Sequence, residues 1–245
     1  MNIEQYNTNL DLLSLATDRR TNKVSIVALV GQSLGTIMGT DYVYDQQGRK
    51  VVTDQGFYQV SGIQPIGNVN PDWIGGVNNT FSYKGIYLSA LVDMQHGGEF
   101  FSYTNLYGKK SGLLDVTAAN GIRENGIVVP GVTADGKDNT VNITAKDNFS
   151  QNGGNVISKA DLYDASYVYL REVKLGYNIP ESWYKKIRAQ AARISLYGRN
   201  LWLIHSNAPN VDPSNITNSA GNVQGIEGGA LPSLRSYGVN LNISF

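Results

Sequence analysis

No cysteine occurs among the 245 residues. That excludes a disulfide framework and any thiolate-bound metal, and it makes cysteine usage silent on redox compartment. Histidine is almost as scarce, with two residues. Charge is sparse and balanced: charged residues make up 16%, and 20 Lys+Arg face 20 Asp+Glu. With zero formal charge and no basic run, the chain lacks the electrostatic footprint of a nucleic-acid binder. Long hydrophobic runs are missing too. The longest, Val24–Gly31 (VSIVALVG), is far short of the roughly 18–20 residues of a spanning helix. It also lies behind Arg19 and Arg20, too far from Met1 for an ordinary secretory signal. A membrane stays open, because closed β-barrels cross it with weakly hydrophobic strands.

What the chain does have is tyrosine, glycine and alternation. Tyr (15) outnumbers Phe (6), and Gly reaches 27, a composition suited to twisted, aromatic-rich β structure. WIGGVNNTFSY puts Trp73, Val77, Phe81 and Tyr83 on one face, and after a tight turn IYLSALVDMQ does the same with Ile86, Leu88, Ala90, Val92 and Met94. This spacing predicts a hairpin. ASYVYLREVKLGYNI places Tyr167, Tyr169, Val173, Leu175, Tyr177 and Ile179 together, interrupted by Arg171. RISLYGRNLWLI alternates Ile194, Leu196, Gly198 and Trp202 against Arg193, Ser195, Tyr197 and Arg199. A last strand is expected over Leu234–Phe245. The first 39 residues are ambiguous: NLDLLSLAT reads as a strand or a helical turn, and KVSIVALVG as a strand or a buried piece of loop.

Between these strands, long polar stretches (40–72, 97–164 and 205–233) alternate with short links (84–85 and 180–192). In an up-and-down antiparallel sheet this sorts all long loops to one edge and all short turns to the other, as in an outer-membrane barrel. Structureless loops of such length are unusual in a compact soluble domain. No internal repeat or linker divides the chain, so one domain is expected.

Several words of the sequence resemble TonB-dependent outer-membrane transporters of the SusC/RagA type. They are Leu170–Tyr177 (LREVKLGY), Gly198–Trp202 (GRNLW), Val211-Asp212-Pro213, and Pro232 through Phe245. Upstream, NPDWIGGVNNTFSYKG and VVPGVTADGK fit the same pattern in the same order. The resemblance covers roughly residues 31–245; TIMGTDYVYD (36–45) and Ser214, after Asp212-Pro213, depart from the family's usual words. It implies an all-β, antiparallel C-terminal portion (1–245) of a 22-stranded barrel with a plugged lumen. Long loops would be external and short turns periplasmic. Up to six strands read here would make roughly a quarter of the wall. The family's plug, TonB-contact segment and signal peptide are not visible. The implied function is TonB-energised uptake of oligosaccharides or peptides across the outer membrane of a gram-negative bacterium. The implied partners are a SusD-like surface lipoprotein, the TonB complex and outer-membrane lipid, with no nucleic acid.

The residues give little support to catalysis, and no enzyme activity or cofactor is expected. His96 near Glu99, and His205 near Asp212, have the spacing of neither a zinc helix nor a known triad, and each stands where a strand leaves for a long loop. Asp135, Asp138 and Asp147, with Gly136 and Asn139, lack the ligand spacing of a calcium loop. No carboxylates form a convincing acid pair. Tyr167, Tyr169, Tyr177, Trp183, Tyr184, Tyr197, Trp202 and Tyr237 fall near strand ends and suit interfacial girdles. Tyr103 and Tyr107 suit sugar stacking and loop packing equally. Arg171, Glu172, Lys174 and Arg199 would be costly against lipid and are expected to face the lumen or a rim. Arg171 and Glu172 cannot both point inward from a regular strand, which calls for a rim position or a bulge. In the last strand Tyr237, Val239, Leu241, Ile243 and Phe245 alternate without a gap, and the resemblance implies that they form an outer-membrane assembly signal. The rival reading is a soluble β-sandwich that binds carbohydrate or mediates adhesion; it would bury the same apolar faces in a core.

Overall fold

The computed structural model describes residues 12–17, 23–216 and 224–245. β1 (Leu12–Thr17), β2 (Ser25–Leu29), β3 (Thr36–Tyr42) and β4 (Val60–Asn68) form a four-stranded antiparallel sheet in that order. Both ambiguous N-terminal stretches therefore contain strands. So does much of 40–72, which the sequence presents as one irregular connection. Pro65 and two register shifts between β3 and β4 hide the pairing from a period-2 reading.

β5 (Pro71–Tyr83) and β6 (Ile86–Gly97) follow as the expected hairpin. Their two-residue turn needs positive φ at both positions, met at +46° by Lys84 and at +85° by Gly85. The chain then leaves through β7 (Glu99–Ser102), α1 (Tyr103–Lys110), α2 (Ile122–Asn125), α3 (Ala145–Gln151) and β8 (Leu162–Asp164). It returns along β9 (Tyr167–Asn178), turns through α4 (Glu181–Tyr184), and runs up β10 (Ala191–Ser206). A second excursion carries the two-residue β11 (Ile226–Glu227) before β12 (Ser236–Ser244).

Five of these strands make one sheet in the order β12-β10-β9-β6-β5, with every neighbouring pair antiparallel. It is an up-and-down meander whose short links lie at one edge and whose long connections lie at the other. Among the described residues it is an open wall, not a closed barrel, and no helix is long and apolar enough to cross a membrane.

The long connections are not structureless. β7 sits between β11 and β8 in a small sheet beyond the end of the wall. Phe100 and Phe101, both 0% exposed, serve two cores from opposite faces of β7. Phe101 packs with Val24, Ile26, Ile37, Ile66, Leu106 and Ile226; Phe100 packs with Ala165 and Ala208. A third cluster joins Val52, Val129 and Ile143. The first sheet and the two excursions thus form a folded cap on the long-loop edge of the wall.

Candidate functional site

Register converts the alternation of single strands into rows across the wall. Tyr83, Ile86, Tyr177, Ile194 and Leu241 are direct neighbours in one row. Phe81, Leu88, Leu175, Leu196 and Val239 form the next. Successive residues of a strand point to opposite faces, so these rows share one face. They are uncovered: exposure in the second row runs from 43% at Leu88 to 67% at Phe81. A contiguous apolar area of this kind marks a surface meant for another apolar medium.

The rows on the other face read Ser82, Tyr87, Gly176, Ser195, Asn240 and then Thr80, Ser89, Lys174, Tyr197, Gly238. Thr80 Oγ1 donates to Ser89 Oγ at 3.1 Å, and Ser89 Oγ donates to Asn78 Oδ1 at 3.0 Å. Two tyrosines lie flat over neighbouring glycines. A Cβ at Gly176 would come within 2.1 Å of the Tyr87 ring, and one at Gly238 within 2.5 Å of the Tyr197 hydroxyl. The close approach requires glycine, and each ring covers backbone the glycine leaves bare.

Two cation–acid pairs form on this polar face. Glu172 accepts from Arg199 Nε at 2.7 Å. Asp93 Oδ2 accepts from Arg171 Nε at 2.9 Å and Nη2 at 2.8 Å. Arg171 Nη1 reaches Asn200 Oδ1 at 3.2 Å, and Asn200 Nδ2 donates to the Leu234 carbonyl at 3.1 Å. The chain of contacts starts on β6, crosses β9 and β10, and ends just before β12. It forms where the ladder breaks: Leu91 and Val92 of β6 pair with Glu172 and Leu170, so Arg171 is the extra residue of a β-bulge. The bulge lets Arg171 and Glu172 share the polar face, as the sequence required. Asn200, at φ +51°, occupies the matching irregularity in β10.

The same bulge reverses the phase of β9 and corrects the girdle reading. Tyr167 and Tyr169 are 7% and 6% exposed and lie beside the Arg171 guanidinium, whose carbon stands 4.2 Å from the Tyr169 ring centre. Tyr197 is also on the polar face, opposite Lys174. Tyr177, Trp202 and Tyr237 remain on the apolar face, and Trp183 is exposed in the short link. Trp73, which sequence reading placed only as a strand residue, stacks on His96 at the long-loop end, with ring centres 5.8 Å apart. At about 3.4 Å per residue and about 40° of tilt, Trp73 to Tyr83 rises roughly 25 Å, the height of an outer-membrane apolar band.

Neither histidine pairs with the acid nearest in sequence. His96 Nδ1 meets Asp72 at 3.2 Å, while Glu99 pairs with Lys159; His205 Nε2 contacts Asn207 at 2.9 Å. Both stand at the loop ends of their strands. Asp135 pairs with Lys137, and Asp147 accepts from Thr144 at the start of α3. Among the described residues no group of three His, Asp or Glu could hold a metal. Tyr103 is buried between Phe101 and Tyr107, whereas Tyr107 is 49% exposed. Tyr237, Val239, Leu241 and Ile243 all lie on the apolar face of edge strand β12, and Phe245 follows it, 74% exposed.

Two carboxylates tie the cap together, and the sequence did not single out the more buried one. Glu227, 1% exposed, accepts from Ser102 Oγ (2.7 Å), Thr104 Oγ1 (2.8 Å) and the backbone N–H groups of Thr104, Gly229 and Ala230. It pins the second excursion to the first turn of α1. Burial pushes its pKa up, but the hydrogen bonds from Ser102 and Thr104 outweigh that and leave it below the ordinary value. Its signal in sequence was an acid standing alone in the glycine-rich stretch 221–230. Asp212 accepts from Ser214 and from Ser233 N, closing its own loop.

No family model matches the chain. It is 30% identical over 185 residues to TonB-dependent receptor P3 of Formosa agariphila, covering 74% of this chain and 17% of that one. The RagAB peptide importer superposes with a TM-score of 0.64 in its closed-closed state and 0.58 in its open-open state. Both alignments cover 97% of this chain, at 19% and 18% identity, and 25% and 24% of the importer chain. The chain therefore spans about a sixth of the receptor it matches and about a quarter of the solved chains.

Proposed function

Because the chain belongs to the SusC/RagA-type TonB-dependent transporters, of which it represents a part, we propose that residues 1–245 supply the C-terminal wall of a nutrient-importing outer-membrane barrel. The apolar rows face lipid, the polar rows with their paired charges line the lumen, and the cap stands on the external side. The observation that carries this is the uncovered apolar face: Phe81, Leu88, Leu175, Leu196 and Val239 form one row with nothing packed over it among the described residues. A soluble sandwich would bury that row under a second sheet. The cap's own core lies elsewhere, beyond the wall.

The transporter works with a SusD-like surface lipoprotein and draws energy through TonB. The solved neighbours are named as peptide importers, so peptides stand beside oligosaccharides as cargo. Tyr237, Val239, Leu241, Ile243 and Phe245 act as the assembly signal, on an edge strand that needs a partner to close the barrel.

Fractionation of cells expressing the complete transporter tests the wall. Recovery with the outer membrane supports it, and recovery in the soluble fraction refutes it. Deleting Phe245, or changing Ile243→Asp, is expected to lower surface levels of the complete transporter. Wild-type levels of both variants would remove the assembly role from this strand.

A further inference from the structure

The cap holds a concentration of positive charge that neither the fold nor transport through the wall accounts for. Between the end of α1, the turn after it, Arg123 of α2 and the start of α3 lies a hollow of about 380 Å³. Lys109, Lys110, Arg123 and Lys146 line it with Ser111 and Thr117, and among the described residues no acidic side chain does. In a chain of zero formal charge, four cations around one concavity do not reflect a generally basic surface.

The four are not equivalent. Lys109 is neutralised by buried Asp161 at 2.6 Å. Arg123 is held in place by neutral acceptors: its Nε donates to the Thr117 carbonyl at 3.0 Å, and its Nη2 to Gly112 O and Thr117 Oγ1, both at 2.6 Å. The guanidinium is thus oriented while its charge stays unpaired. Lys110 and Lys146 have no ion pair among the described residues. Lys110, in the last turn of α1, has an ordinary structural reason, since cations favour that end of a helix. Lys146 has the opposite sign for its place, in the first turn of α3, where a cation is disfavoured. Nearby Asp147 is turned to Thr144 instead, which donates to it at 2.7 Å.

The geometry points to a binding site for a tetrahedral oxyanion, a sulfate or phosphate group, held by Arg123, Lys110 and Lys146; the hydroxyls of Ser111 and Thr117 are not available to it, since they donate to the Tyr107 and Leu114 carbonyls, both at 2.6 Å. Arg123's three bonds leave the Nη1 donors of the fixed guanidinium for such a group, and two mobile ammonium groups supply the remaining charge. The group arrives either on a soluble ester or on a lipid headgroup.

The test uses the complete transporter in detergent, titrated calorimetrically with sodium sulfate and sodium phosphate against sodium chloride at equal ionic strength. Direct heats are needed because sulfate stabilises most proteins by exclusion from their surface. The expected result is saturable binding of sulfate or phosphate, weakened roughly tenfold or more by Lys110→Ala/Lys146→Ala, with no saturable heat from chloride. Both substituted residues are exposed, and an unchanged melting temperature confirms an intact cap. Saturable binding of equal strength in wild type and variant, or in neither, overturns the site. Phosphate on copurified lipid separates the sources: a fall in the double variant assigns the site to a lipid headgroup, and no change assigns it to a soluble ester.

Discussion

The wall and the cap are built from the same chain under opposite rules. In the wall the large apolar side chains are the exposed ones, as with Phe81, Leu196 and Val239. In the cap a hidden core is present as well, with Phe100, Phe101, Ile37 and Ile157 at 0% exposure. Polar groups reverse in the same way. Arg171, Glu172 and Arg199 lie on the polar face of the wall in ion pairs, whereas Glu227 is sunk in the cap and satisfied by five donors. Under the proposed function each region suits its own surroundings, lipid for the wall's apolar face and water for the cap. Burial alone, read without that distinction, would call the wall unfolded.

The comparison breaks most visibly at matched phenylalanines. Phe101→Ala is expected to destabilise the cap by about 3–5 kcal/mol, because it empties a site at the junction of β2, β3, β4, α1 and β11. Phe81→Ala, in the apolar face of the wall, leaves no enclosed cavity and should cost far less. Hydrogen exchange over 99–110 and 224–230 in the complete transporter reads the first, and heat-modified gel mobility of the barrel reads the second. Similar losses from both would mean that the wall row is a buried core after all.

Next in size is a charge placed on the outer face. Leu196→Arg should cost roughly 2–4 kcal/mol at mid-depth in lipid and reduce assembled barrel. Lys174→Leu, on the neighbouring strand but the other face, should assemble normally. Equal assembly of both variants would leave the two faces without distinct solvents.

The two faces of the wall are legible in the order of residues alone, and the cap is not, for a physical reason. A strand with different media on its two sides must alternate, so Leu175, Tyr177, Ile194, Leu196 and the last strand declare their face at period 2. The Arg171-Glu172 pair announces its own bulge, because two adjacent charges cannot both avoid lipid on a regular strand. The bulge also misleads the reading of Tyr167 and Tyr169, since one extra residue inverts every position before it. The cap core is assembled from Val24, Ile66, Phe101, Leu106 and Ile226. They come from segments far apart in sequence, each too short or too irregular to show a period. Glu227 can be noticed in the sequence but not explained there, because the partners that hold it to α1, Thr104 and Ser102, lie 123 and 125 positions away.

That carboxylate provides the third prediction. Glu227→Gln keeps one acceptor oxygen but brings an amide NH₂ into a pocket populated by donors, at a cost of roughly 1–3 kcal/mol to the docking of the second excursion. The pH dependence follows from the depressed pKa. The folded form holds its proton less tightly than the unfolded chain, so the contribution is complete above the ordinary value of 4.5 and is lost as pH falls through the lower folded value. Hydrogen exchange at 226–230 should therefore rise below about pH 4.5 in the wild type, and Glu227→Gln should show the weakened docking already at pH 7. A wild-type rise centred above pH 6 would exclude Glu227 as its cause.

The smallest effect is expected where the contact geometry looks strongest. Lys137 Nζ lies 2.6 Å from Asp135 Oδ2, the same distance as the ion pair of Lys109 with Asp161. Hydrogen bonds from Lys137 and Thr133 hold the Asp135 carboxyl at about 2. Yet the side chains are 82% and 55% exposed, against 16% and 1% for Lys109 and Asp161. Water and salt screen an exposed pair, and its attraction is largely offset by the entropy of holding a long side chain still. Removing Lys137 frees Asp135 to hydrate, while removing Lys109 would strand a carboxylate that water cannot reach. Lys137→Ala should therefore leave the exchange of the 131–139 turn unchanged at physiological salt, and Lys109→Met should expose α1 and the residues around Asp161. A loss at Lys137 as large as that at Lys109 would show that distance, not solvent access, ranks the ion pairs of the cap.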